Sequence, residues 1–148
     1  MAARHRIPEL SQEGRAAAQA LRGAVAGDVW TTPLRRWLYS TDASGYRIVP
    51  EVVVVAASAD DLAAVAAVSA ETGLPVVARG AASSLAGQAI GPGILVDCFK
   101  LDRILEIDAD GRRARVQPGV VQAALNAAAA PYGLEFGIGV EVILDRAF

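Results

Sequence analysis

The stretch whose residue types best suit chemistry is R-G-A-A-S-S-L-A-G-Q, residues 79–88. It follows an apolar run and carries almost no side-chain bulk between an arginine and a glutamine. Backbone N–H groups are natural phosphate ligands where a chain leaves a strand, because they carry partial positive charge and need no side chain. Gly80 and Gly87 permit left-handed backbone, Ala81 and Ala82 add little volume, and Ser83 and Ser84 add hydroxyl donors. The glycine spacing matches neither a dinucleotide G-x-G-x-x-G nor a G-x-x-x-x-G-K-S/T phosphate loop. The residues alone leave two readings open, an anion cradle and a structural corner.

Arg79 could pair with phosphate, or pair with a nearby carboxylate and support the loop from behind, and Gln88 could touch a ligand or brace loop carbonyls. Asp42, Ser44, Tyr46 and Arg47 form a polar constellation upstream, readable as a packed turn or as a direct catalytic group. Pro118 and Gly119 mark a strand end and a helix start, where N–H groups could also face an anion. Cys98, inside the apolar run GILVDCF, reads as a buried small hydrophobe, and His5 as a solvated group in a charged leader. With one cysteine and one histidine, the sequence holds no disulfide framework and no Cys/His zinc site of its own.

The elements that must position these residues are well marked. Residues 11–25 have helical composition, and residues 28–50 mix aromatics, arginines and turn formers in the manner of an irregular surface segment. EVVVVAA is a β-branched run of strand length, SADDLAAVAAVSAETG a helix and LPVVA another strand. Ser58 is the expected N-cap, Asp61 is placed to return a bond to it, and Gly73 closes the helix. A crossover of this length predicts parallel strands, and continuous apolar strands predict a sheet covered on both faces. GILVDCF is a third strand. ILEID and RARVQPG flank ADGR, so Asp110-Gly111 predicts an antiparallel hairpin, and VVQAALNAAAAPYG predicts a last helix ending near Pro131 and Gly133.

Composition sets the outer limits. With 148 residues, 53% hydrophobic and 20% charged, the chain has the material for a folded domain. A net charge of −2 from 14 basic and 16 acidic residues gives no electrostatic case for nucleic acid. No run approaches the roughly 20 apolar residues of a transmembrane helix, so the sequence predicts no membrane span and a cytoplasmic setting.

The ordered segments YSTDASGYRIVPEVVVVA, DDLAAVAAVSAETGLPVVARGAASSLAGQ and GILVDCFKLDRILEIDADGRRARVQPGVVQAALNAAAAPYGLEFG resemble FAD-linked oxidases of the vanillyl-alcohol oxidase and p-cresol methylhydroxylase family. Within that family the chain looks like the D-lactate dehydrogenase and glycolate oxidase subunit branch. The resemblance implies an α+β fold: a small parallel β-α-β subdomain, then a partial antiparallel subdomain, with the FAD pyrophosphate in the cleft between them. It implies FAD as cofactor, a small 2-hydroxy acid as substrate, and Arg79, Gly80, Ala81, Ala82, Ser83, Ser84, Gly87 and Gln88 as cofactor contacts. Ala81, Ala82 and Ser83 stand where the family shows glycines and a threonine, which predicts resistance to positive φ. The expected organisation is a helical leader over 1–36, an incomplete FAD-binding domain over 37–137 and a divergent tail over 138–148. The tail lacks the family's later motifs, so the expectation is an N-terminal fragment, inactive by itself. It would be a remnant or a subunit needing a partner chain, or it would self-associate through exposed strand edges.

Overall fold

The computed structural model describes residues 7–137. His5 and the tail over 138–148 lie outside the described residues. The chain divides into two compact units, with the boundary between Leu101 and Asp102.

The first unit is built on a four-stranded sheet of order β1-β2-β4-β3, formed by β1 (Asp28–Trp30), β2 (Val52–Val55), β3 (Val76–Arg79) and β4 (Ile94–Asp97). β2, β4 and β3 run parallel and β1 runs antiparallel to β2. β2 and β3 are therefore parallel, as their helical crossover predicts, but they are not neighbours. β4 occupies the lane between them, pairing Val54 with Val96 on one side and Ala78 with Val96 on the other.

Side-chain alternation divides the sheet into two faces. Val52, Val54, Ile94 and Val96 pack with Ala17, Ala18 and Leu21 of α1 (Gln12–Ala24) and with Val65 and Val68 of α3 (Ala59–Thr72). Val53, Val55 and Leu95 alternate onto the opposite face and are also fully buried. Two covered faces explain why β2 and β4 read as unbroken apolar runs. β3 is an edge strand and alternates between exposed and half-buried positions.

α3 carries its expected caps, and α1 has a side-chain cap as well. Ser11 Oγ accepts from Gly14 N, Ser58 Oγ accepts from Asp61 N, and Gly73 ends α3 in the left-handed conformation at φ 72°. The bond expected between Asp61 and the cap forms with the Ser58 hydroxyl, and it is one of four. The Asp61 carboxylate, on a residue only 2% exposed, accepts from Ala57 N, Ala26 N, Gly27 N and Ser58 Oγ at 2.8–3.0 Å. It thereby ties the α1–β1 corner to the start of α3.

Residues 28–50 are more regular than their composition predicts. They hold β1 and α2 (Pro33–Leu38), a short helix with proline in its first turn. β1 is three residues long and owes its strand conformation to pairing with β2, a tertiary cause that no local pattern reveals. Arg36 of α2 is buried and donates to the carbonyls of Pro50 and Pro8, with Glu51 3.9 Å away.

The second unit contains the antiparallel pair β5 (Ile104–Asp108) and β6 (Arg113–Val116), then α4 (Gln122–Ala129) and a 3₁₀ turn (Ala130–Tyr132) ended by Gly133 at φ 66°. The hairpin forms, but not through left-handed glycine. Arg112 takes the positive φ, 51°, while Gly111 N donates to Asp108 Oδ1 at 2.8 Å. Gly111 is small because a Cβ there would collide with the Asp108 carboxylate. Pro118 and Gly119 lie in the turn between β6 and α4, where Val120 N donates to Gln117 O.

Candidate cofactor-binding site

The loop over 80–88 leaves the carboxyl end of β3 in the first unit, the end of a parallel sheet where ligands of α/β proteins collect. Arg79 is the last residue of β3 and not a loop residue. Its side chain reaches the segment that leads into Asp42, where Nη1 donates to Tyr39 O at 3.3 Å and to Thr41 O at 3.2 Å. The guanidinium carbon lies 4.9 Å from the centre of the Tyr39 ring. Nε is buried without an acceptor among the described residues. Of the two roles open to Arg79, these contacts fit the brace.

Behind the same end of the sheet, Asp97 is 6% exposed and pairs in register with Arg79. The Tyr39 hydroxyl is pushed up to about 12 by its burial, then by its hydrogen bond to Asp97 and that carboxylate's charge, with the Arg79 and Arg35 charges opposing. Tyr39 is accordingly a fixed donor at ordinary pH. The neighbouring Cys98 is a buried free thiol, raised above its ordinary value by burial and by Asp97, which suits packing and not nucleophilic work.

The loop departs from its predicted conformation at one residue. Ala82 adopts φ 57°, so a methyl-bearing residue holds the left-handed position that its type disfavours. Gly80 has no positive φ, whereas Gly87 has φ 77° and lies against Tyr46, whose Cδ2 would stand 3.0 Å from an added Cβ. Ser84 organises the second half of the loop. Its Oγ accepts from Gln88 N at 3.1 Å and Ala86 N at 3.3 Å, and lies 3.2 Å from Gln88 Oε1. Gln88 therefore braces the loop in this arrangement.

Of the constellation, Asp42, Ser44 and Tyr46 are brought onto the loop, and Arg47 is not. Asp42 Oδ1 accepts from Ser44 N at 2.9 Å and Oδ2 accepts from Ala89 N at 3.2 Å, while Ala43 N donates to Ala82 O at 3.0 Å. The Ser44 hydroxyl, then the Ser44 and Ala89 amides, hold the Asp42 carboxyl below the usual carboxylate range against some desolvation. Arg47 stacks on Trp37 at 3.8 Å, and a bridge between Thr41 and Arg47 closes the turn. The Asp-x-Ser spacing signals such a turn in sequence, but its attachment to residues 82 and 89 has no local signature.

A diphosphate fits this arrangement. The amides of Gly80, Ala81, Ala82, Ser83, Ser84 and Leu85 donate to no acceptor among the described residues. Gly80, Ala81, Ser83 and Leu85 are exposed, and an added Cβ on Gly80 would meet nothing within 4 Å. Residues 80–85 can thus present N–H dipoles to an anion without side chains in the way. Among the described residues, no group of His, Cys, Asp and Glu could hold a metal ion, and no helix is long and apolar enough to cross a membrane.

Similarity to known proteins converges on the same cofactor. Residues 50–143 match the family described as FAD binding domain. The chain is 37% identical over 114 residues to D-2-hydroxyglutarate dehydrogenase of Pantoea ananatis, covering 74% of this chain and 11% of that protein. It is 40% identical over 95 residues to the glycolate oxidase subunit GlcD of Escherichia coli (strain K12), covering 63% of this chain and 19% of that protein. The chain thus spans a minor part of these relatives' length. The crystal structure of p-cresol methylhydroxylase with substrate bound superposes with a TM-score of 0.64 at 22% identity, covering 84% of this chain and 26% of that one. The protein has the α+β fold of p-cresol methylhydroxylase-type flavoproteins, and it belongs to the FAD binding domain family.

Proposed function

We propose that residues 79–88 receive the FAD pyrophosphate, with the amides of Gly80, Ala81, Ala82, Ser83 and Ser84 as donors, Gly87 and Gln88 shaping the exit, and Arg79 bracing the loop. The observation that carries this reading is the run of unengaged amides over residues 80–85 at the end of β3. The FAD-binding portion is assigned to residues 37–137, with α1 of the leader packed into its core.

The likeness to a D-2-hydroxyglutarate dehydrogenase and a glycolate oxidase subunit supports a flavoprotein that oxidises a 2-hydroxy acid, such as D-2-hydroxyglutarate, D-lactate or glycolate. Bound FAD would supply the acceptor for a hydride equivalent, while this chain's residues bind and orient it. A cytoplasmic setting is consistent with the free, buried thiol of Cys98. Association with a partner chain would use the outer strands β1 or β3, and size-exclusion chromatography at rising concentration would reveal it.

Titration with FAD, followed by tryptophan fluorescence and by melting temperature, tests the cradle. Wild-type protein should saturate and gain stability, by about 2.7 kcal/mol at a hundredfold excess over Kd. The variant Ala81→Glu, which sets a carboxylate on an exposed loop position, should fold and lose binding. Absence of saturable binding by wild-type protein would reject the reading. Bleaching of flavin absorbance on adding each of the three acids tests the substrate class.

A further inference from the structure

We propose that Asp42 is a positioning residue for the FAD loop: the turn over residues 41–47 clasps the loop so that its amides face outward and remain free. The inference rests on the reading of residues 80–88 as the cofactor cradle.

The pattern of bonds is selective. The clasp takes the carbonyl of Ala82, through Ala43 N, and the amide of Ala89 just beyond the loop, through Asp42 Oδ2. It takes none of the amides of residues 80–85. Pulling on the Ala82 carbonyl from behind fixes the left-handed residue in the orientation that leaves the neighbouring N–H groups unspent. Tyr46, seated where a Cβ on Gly87 would fall, closes the third point.

The clasp is itself held. Ser44 N donates to Asp42 Oδ1, Tyr46 N donates to Ser44 Oγ, and Arg79 reaches from the strand end to the carbonyls of Tyr39 and Thr41. Asp42 joins the turn's own structure to the loop exit by hydrogen bonds, through Ser44 N on one oxygen and Ala89 N on the other. Its negative charge strengthens both N–H bonds, which a neutral amide would accept less well.

The test compares Asp42→Ala and Asp42→Asn with wild-type protein by amide hydrogen exchange without ligand and by FAD titration. Asp42→Ala should speed exchange at Ala43, Ser44, Gln88 and Ala89 while the amides of β2, β4 and α3 keep their protection. Its FAD affinity should fall about tenfold or more, with Asp42→Asn intermediate. Unchanged exchange at those four amides would overturn the clasp. Unchanged FAD affinity in a protein whose Ala81→Glu variant loses binding would overturn its role in positioning and leave the cradle standing. If wild-type protein does not bind FAD, the cradle fails, and the exchange comparison still decides whether Asp42 holds the loop.

Discussion

Asp61 and Asp42 both gather backbone N–H groups from segments distant in sequence, but they do so in opposite settings. Asp61 is 2% exposed, and its carboxylate closes the corner between α1, β1 and α3 with every acceptor site engaged. Asp42 is half-buried at the surface and closes one side of a loop whose other side offers unengaged donors. The difference separates a device that completes the fold from one that, on the function proposed above, shapes a surface for a ligand. A buried carboxylate must satisfy all the amides around it, since an orphaned donor inside the protein costs free energy. One at the rim can leave donors for something else.

The largest expected effect tests the buried member. Asp61→Ala strands the amides of Ala57, Ala26 and Gly27 and should lower unfolding free energy by about 3 kcal/mol or more, read from denaturant midpoints. A loss below about 1 kcal/mol would place Asp61 in the same class as a surface cap and dissolve the contrast.

Acid provides the next test. Burial by itself raises the Asp61 carboxyl, but the amides of Ala57, Ala26 and Gly27 and the Ser58 hydroxyl outweigh it and hold the group below the ordinary carboxylate value. A depressed folded-state value means stability that is complete above the unfolded value of about 4 and lost as pH falls through the folded value. Asp42 and Asp108 are depressed as well and contribute with the same sign. Melting temperature should therefore drop as pH is lowered from about 5 toward 2. Asp61→Asn should flatten that drop more than Asp108→Asn does.

Two loop substitutions sharpen the other side of the comparison. Gly87→Ala forces a methyl into positive φ against Tyr46 and should cost about 1 kcal/mol, with a matching loss of FAD affinity. Ala82→Gly should change stability least, by about 0.5 kcal/mol or less, because relief of the left-handed strain offsets the greater freedom of glycine in the unfolded chain. Stabilisation above about 1 kcal/mol would mean that the clasp holds Ala82 under more strain than an ordinary left-handed alanine.

Much of the frame is legible in the sequence because it is locally determined. The caps at Ser58 and Gly73, the run of valines in β2 and the apolar core of β4 each declare their element within a few residues. β1 and α2 are not legible, since one exists through pairing with β2 and the other is six residues long without a side-chain cap. Asp110-Gly111 marks the hairpin, and the four residues ADGR connect its strands as the sequence reads, while the positive φ at Arg112 has no signal in its residue type. At the site, small residues announce the loop, while the bonds from Asp42 to Ala89 and from Ala43 to Ala82 join positions 47 and 39 apart in sequence and leave no periodic trace.

The lane that β4 fills also gives the site a place in time. As a chain emerges or refolds, β2, α3 and β3 become available first, yet β2 and β3 share no hydrogen bonds and wait for residues 94–97 to arrive between them. Arg79 reaches its register partner Asp97 only at that moment, after the whole loop has passed. Closure of the central lane and anchoring of the strand end that leads into the loop are thus one event, a non-local pairing of the kind that slows folding. A ligand of the loop would therefore meet it only after the sheet on which it stands is complete.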